Sequence, residues 1–146
     1  MSEEYESLRL ENQICFPLYA CSKEIVRRYK PFLDELDLTY TQYIAMLVMW
    51  EQKRINVKNM GRLLFLDSGT LTPVLKKLEQ KGYILRTRSA DDERVVIANL
   101  TEKGERLKGR AVLVPQKVTK CVNLSREEAE LLYALLYKAL DRSENI

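Results

Sequence analysis

The chain holds three cysteines, Cys15, Cys21 and Cys121, and no histidine. Lacking imidazole, it has no histidine general base, no Cys–His pair, no Ser-His-Asp triad and none of the usual imidazole-containing zinc sites. No glycine-rich phosphate loop appears either. Neither a cofactor nor a metal is expected, and an ordinary hydrolase or nucleotide enzyme is disfavoured. Two kinds of chemistry remain: thiol chemistry at the cysteines and cationic binding through lysine and arginine. A thiol reacts as its thiolate, which needs nearby cations, a helix start or hydroxyl donors. Cysteine is more commonly a small apolar core residue, so residue type alone leaves Cys15 open between these roles. An odd cysteine count is also too small for a secreted disulfide scaffold.

The cationic chemistry is concentrated between Asp67 and Leu100. From Ser68 to Ala90 the cations are Lys76, Lys77, Lys81, Arg86 and Arg88, and the only carboxylate is Glu79, whereas the whole chain is only +3. A local excess of this kind marks one polyanion-facing surface rather than a generally basic coat. Leu71, Val74, Leu75 and Leu78 form an apolar stripe at helical spacing, with Ser68, Thr70, Thr72, Lys76 and Lys77 off it. Hydroxyls and free N–H groups at a helix start suit phosphate oxygens and base edges. Asp67 or Ser68 supplies a cap, and Gly82 sits where a helix commonly stops. Pro73 costs a hydrogen bond if the helix begins at Ser68, and little if it begins nearer Thr70.

Lysines on one helix face are by themselves an ordinary solvated surface; the segment that follows gives them meaning. Tyr83-Ile84-Leu85 and Val95-Val96-Ile97 read as two strands around the polar Ser89–Glu93 turn, with Arg86, Arg88 and Arg94 flanking the tip. An arginine on a narrow ribbon can enter the minor groove, where negative potential is concentrated. Asp92 either holds such an arginine in a bidentate pair or is simply a turn residue.

These groups need a scaffold, and 146 residues at 46% hydrophobic suffice for one domain with a core. No run approaches the ~18 apolar residues of a membrane span, and MSEEYES is no signal peptide, so a cytoplasmic location is expected. Leu8 to Tyr29 reads as a helix ended by Pro31, with Pro17 inside it as a bend. A second helix starts at Thr39 or Thr41 and carries Tyr43 to Trp50. Ile55–Val57 reads as a short strand. Val57–Phe65 and the Asp67 helix then form a helix-turn-helix. Thr101 caps a long helix that Pro115 interrupts, and Ser125-Arg126-Glu127-Glu128 resembles a capping box for Glu127–Leu140.

That last helix holds Leu131, Leu132, Leu135, Leu136 and Leu140, more than one solvent-facing helix can use. The expected fold is therefore mainly α with a small β-hairpin wing, a winged helix-turn-helix in one domain, 1–146. Residues 40–100 form the DNA-binding part, and the helices in 1–38 and 101–146 form the dimerisation region of a homodimer. Packing of both ends within one monomer is the alternative.

Three segments, ENQICF (11–16), LTYTQY (38–43) and LDSGTLTP (66–73), together with DDER at the hairpin tip, resemble the MarR family of winged-helix regulators. The resemblance spans nearly the whole chain and points to the organic-hydroperoxide resistance regulators of the OhrR type. It implies a homodimeric repressor on a pseudo-palindromic operator in double-stranded DNA, released when Cys15 is oxidised by an organic hydroperoxide. It further implies that Tyr29 and Tyr40 hydrogen-bond Cys15 from the other subunit, with Tyr19 one helical turn from the thiol. Regulators of this type resolve the oxidised cysteine either with a low-molecular-weight thiol or with a second cysteine. Cys121 lies in the region of that second cysteine, and both routes stay open. Cys21 cannot pair with Cys15 on one helix, since six residues rise ~9 Å and turn apart. Pro17 departs from the aliphatic residue the resemblance leads one to expect. The competing reading is a MarR-type repressor released by a small aromatic ligand, with Cys15 structural. A thiol peroxidase would need a Thr-x-x-Cys setting and an activating arginine, which this chain lacks.

Overall fold

Two short 3-10 turns, Glu3–Leu8 and Leu10–Asn12, precede α1 (Cys15–Asp34) in the computed structural model, which describes residues 3–141. The outer ends of the two expected dimerisation segments, 1–2 and 142–146, lie outside the described residues. Both proline expectations for the first helix are corrected. Because α1 starts at Cys15, Pro17 falls in the first turn, where its missing amide would have no helical acceptor and no bend is needed. Pro31, by contrast, lies inside the helix, which continues to Asp34. Its ring removes the amide that would bond the Arg27 carbonyl, and burial of Leu33 in the core holds the last turn in place.

A capping box starts α2 (Tyr40–Gln52): the Thr39 hydroxyl accepts from the Gln42 amide at 3.2 Å, and the Gln42 side chain accepts from the Thr39 amide at 3.1 Å. This helix is the centre of the core, burying Tyr43, Ala45, Met46, Val48, Met49 and Trp50. Lys53 turns the chain with positive φ into β1 (Arg54–Asn56), one residue earlier than Ile55–Val57. The Asn56 side chain then caps α3 (Val57–Leu64). Phe65 takes a left-handed conformation, and Asp67 caps α4 (Ser68–Gln80) by accepting from the Thr70 amide at 2.7 Å. That start settles Pro73, which lies beyond the first turn and leaves the Gly69 carbonyl without its helical donor. The helix persists because Leu71, Leu75 and Leu78 are buried on the stripe side.

β2 (Ile84–Arg88) and β3 (Val96–Leu100) form the hairpin, and β1 joins it in the antiparallel order β1-β3-β2. Register pairs Leu85 with Asn99 and Ile55 with Ala98, placing Ala98 and Ile84 in the core. Thr101 caps α5 (Glu102–Ala111). Pro115 takes the start of α6 (Val114–Thr119), so the expected interruption is a complete break. The Ser125 capping box opens α7 (Arg126–Leu140), and no residue of α7 is buried.

Candidate nucleic-acid interface and thiol site

An open groove runs between α3, α4 and the wing. It is lined by Lys58 and Arg62 from α3, Ser68 and Thr72 from α4, and Arg88 and Arg94 from the wing. The Asp67 cap positions α4 in this groove, and its carboxyl is held below the usual value mainly by the Thr70 backbone amide. Beyond the cap, Ser68, Thr70, Thr72, Lys76 and Lys77 are all exposed, opposite the buried leucine stripe. The helix therefore presents hydroxyls first and ammonium groups one to two turns later.

At the wing tip both readings of Asp92 hold together. Its carboxylate accepts from the Arg94 backbone amide at 3.0 Å, closing the turn, and grips the guanidinium at 3.1 and 3.2 Å. The Arg94 hydrogen bonds, side chain first, hold the Asp92 carboxyl below its usual value. Arg94 is nonetheless almost fully exposed, so its charge is oriented without being hidden. Arg88 is also exposed and donates to the Glu93 carbonyl at 3.2 Å across the tip.

Arg86 lines the same groove but is also engaged from within the chain. Glu79, on α4, accepts from the Arg86 backbone amide at 2.8 Å and from its guanidinium at 3.2 Å. With the side chain three-quarters covered, Arg86 clamps the base of the wing onto α4. Lys58 and Arg62 are the converse, two exposed cations that sequence reasoning overlooked. Their i, i+4 spacing on one face of VKNMGRLL was the available signal.

The thiols are all free and exposed. Cys15 is the first residue of α1, where the Phe16 amide is taken by the Gln13 carbonyl at 3.3 Å and Pro17 has none to give. Tyr19 is exposed, with the Lys23 ammonium 5.1 Å from its ring centre. Cys121 follows α6; its carbonyl accepts from the Arg28 guanidinium, and its thiol donates to the Lys117 carbonyl at 3.5 Å.

Tyr29 and Tyr40 meet edge to face with ring centres 5.1 Å apart, and Tyr43 packs against both at 5.7 and 6.4 Å. Burial raises the Tyr29 and Tyr40 hydroxyls above their ordinary value and pushes Tyr43 up to about 12, so all three remain protonated donors. Tyr43 is a member of this cluster that sequence reasoning did not assign. Within one chain the cluster does not meet Cys15, because fourteen residues of α1 separate Tyr29 from it, about 21 Å of rise. Arg28, which holds Cys121, is almost as far along, about 20 Å, well outside disulfide reach of Cys15 in the same chain.

A helix-turn-helix whose second helix shares a cation-lined groove with a three-stranded wing defines a winged-helix DNA-binding regulator. Residues 27–110 match the family described as transcriptional regulator SarA/Rot. The chain is 48% identical over 141 residues to the organic hydroperoxide resistance transcriptional regulator of Bacillus subtilis strain 168, covering 97% of this chain and 96% of the relative. Overoxidized AbfR bound to DNA, a protein of Staphylococcus epidermidis, is similar in structure with a TM-score of 0.76 and 34% identity, over 94% of this chain and 96% of that one. A mutant of MarR from E. coli complexed with operator DNA gives a TM-score of 0.78 at 25% identity, over 96% and 100% of the two chains. The chain belongs to the MarR family of winged-helix transcriptional regulators and is OhrR-like. Its fold and its relatives are those of regulators, not of enzymes. Among the described residues, no helix is long and apolar enough to cross a membrane.

Proposed function

We propose that this regulator is a homodimeric repressor that holds a pseudo-palindromic operator and releases it when an organic hydroperoxide oxidises Cys15. The observation that carries the reading is the division of α1: an exposed thiol at its first residue and a cluster of protonated tyrosines near its far end. An antiparallel partner helix brings the two ends together. The chain's apolar surplus supports such a partner, since Ile14, Phe16, Leu18, Leu131, Leu135 and Leu140 are all exposed. The similarity to a regulator named for organic hydroperoxide resistance supplies the oxidant class.

In the proposed reaction the Cys15 thiolate attacks one peroxide oxygen and the O–O bond breaks. Sulfur gives up two electrons to become the sulfenic acid, and the departing alkoxide takes a proton to leave as the alcohol. Tyr29 and Tyr40 of the partner donate hydrogen bonds to the thiolate and lose that geometry once oxygen is added. Arg28 neighbours Tyr29 in sequence and holds the Cys121 carbonyl, so the packing that delivers the tyrosines delivers Cys121 as well. This favours resolution by Cys121, whose thiol attacks the sulfenic sulfur, forms a disulfide between subunits and releases water. A disulfide-formed structure of AbfR is in keeping with that step.

In the DNA complex, Ser68, Thr70 and Thr72 face base edges and nearby phosphates, Lys76 and Lys77 bind phosphate, and Arg88 and Arg94 reach the flanking minor groove. The test is a gel shift on the operator with and without cumene hydroperoxide. The wild type is expected to dissociate and Cys15→Ser to stay bound; equal release of both would overturn the proposal.

A further inference from the structure

One cation of the DNA-facing segment points inward. Lys81, which ends α4, is only 25% exposed. Its ammonium donates to the Asp37 carbonyl and to the Gln42 side-chain oxygen at 3.2 Å, and pairs with the Asp37 carboxylate at 3.4 Å. An ammonium has three N–H donors, and these three acceptors match them, leaving none for phosphate. The acceptors themselves are well placed. Asp37 has positive φ at the α1–α2 corner. Gln42 is the buried half of the capping box that fixes the first turn of α2, and its oxygen is shared between the Thr39 amide and Lys81. Tyr40 is the first residue of that turn and Tyr43 lies on the next.

We infer that Lys81 is a positioning residue that couples the tyrosine cluster to the reading helix, making the Lys81–Gln42–Asp37 link the route by which thiol oxidation reaches α4. The inference rests on the peroxide-release reading. A change in the hydrogen bonding of Tyr40 shifts the first turn of α2, and with it the oxygen that Lys81 holds. The end of α4 follows, because the Lys81 ammonium bonds this oxygen and the Asp37 corner together. The Lys81 carbonyl, bonded by Lys103 at 2.7 Å, ties the same point to α5.

The test compares full-length wild type, Lys81→Gln, Lys81→Arg and Gln42→Leu, measuring the rate of Cys15 oxidation by cumene hydroperoxide, the salt slope of operator binding and the ratio of oxidised to reduced Kd. A coupled wild type shows a ratio of about 5- to 150-fold. Lys81→Gln and Gln42→Leu are expected to cut that ratio by about 2- to 30-fold while the oxidation rate and salt slope stay put. Lys81→Arg should retain it. A merely structural role would lower Tm and leave the ratio untouched, which overturns the inference. A salt slope reduced by ~0.9 in Lys81→Gln would also overturn it, by showing a phosphate contact. No release of the wild type would remove the peroxide reading itself, and the coupling with it.

Discussion

Arg94 and Asp92 concentrate the wing's chemistry in one pair. The bidentate grip orients the guanidinium while leaving its outer face exposed. Arg94→Ala is expected to weaken operator binding by roughly 1–3 kcal/mol, most where the flanks are A·T-rich, as fluorescence anisotropy on matched duplexes would read. Equal loss on G·C-rich flanks would place the side chain outside the minor groove. Lys76→Ala and Lys77→Ala should instead weaken binding on every sequence and lower the log–log salt slope by ~0.9 each; an unchanged slope means no phosphate contact. Sequence made the exposed lysines, hydroxyls and Arg94 legible because helical spacing places the first two and the polar turn between two strands places the third. The fates of Arg86 and Lys81 were hidden because their partners, Glu79 and Asp37, reach them only through tertiary folding. A cation count sees charge and not what neutralises it.

At the scale of elements, two contacts among those that hold the wing to the body can be tested singly. At its base, Glu79 accepts from the Arg86 backbone amide, the main reason its carboxyl lies below the usual value, with the guanidinium adding to it. A depressed carboxyl stabilises the fold above its unfolded pKa and loses that contribution as pH falls through the folded value. The wild type should therefore lose stability below about pH 4.5 more steeply than Glu79→Gln, by no more than ~1 kcal/mol because the pair is partly solvated. Parallel acid titrations followed by circular dichroism check this. At the other contact, a Cβ on Gly104 would stand 2.2 Å from the Tyr83 carbonyl oxygen, and the Gly104 carbonyl accepts from the buried Trp50 indole at 2.9 Å. Gly104→Ala should destabilise by about 1–3 kcal/mol, seen as a lower Tm. Caps and breaks such as Asp67, Ser125 and Pro115 could be read locally, because each depends on its nearest neighbours. The start of α1 could not: the cost of Pro17 and Pro31 depends on where the helix begins and on the burial of Leu33, which only the packed core decides.

For the whole molecule, α7 leaves all its leucines in solvent, with Leu131 62% exposed and even the least exposed, Leu136, at 36%. Burying such side chains contributes roughly 1.5–3 kcal/mol each, which a partner subunit would supply. Leu132→Asp with Leu136→Asp is expected to yield a monomer by analytical ultracentrifugation, and a persisting dimer would place the interface elsewhere. A dimer would also fix the spacing of the two α4 helices, so the switch proposed here acts on how the two present themselves to one operator. The most direct measurement follows Cys15 by mass spectrometry and operator binding by anisotropy in the same sample during a titration with cumene hydroperoxide. The account predicts that the fraction of DNA released tracks the fraction of Cys15 oxidised throughout. DNA still bound with Cys15 fully converted to its sulfenic acid or disulfide, or released with the thiol intact, would contradict it.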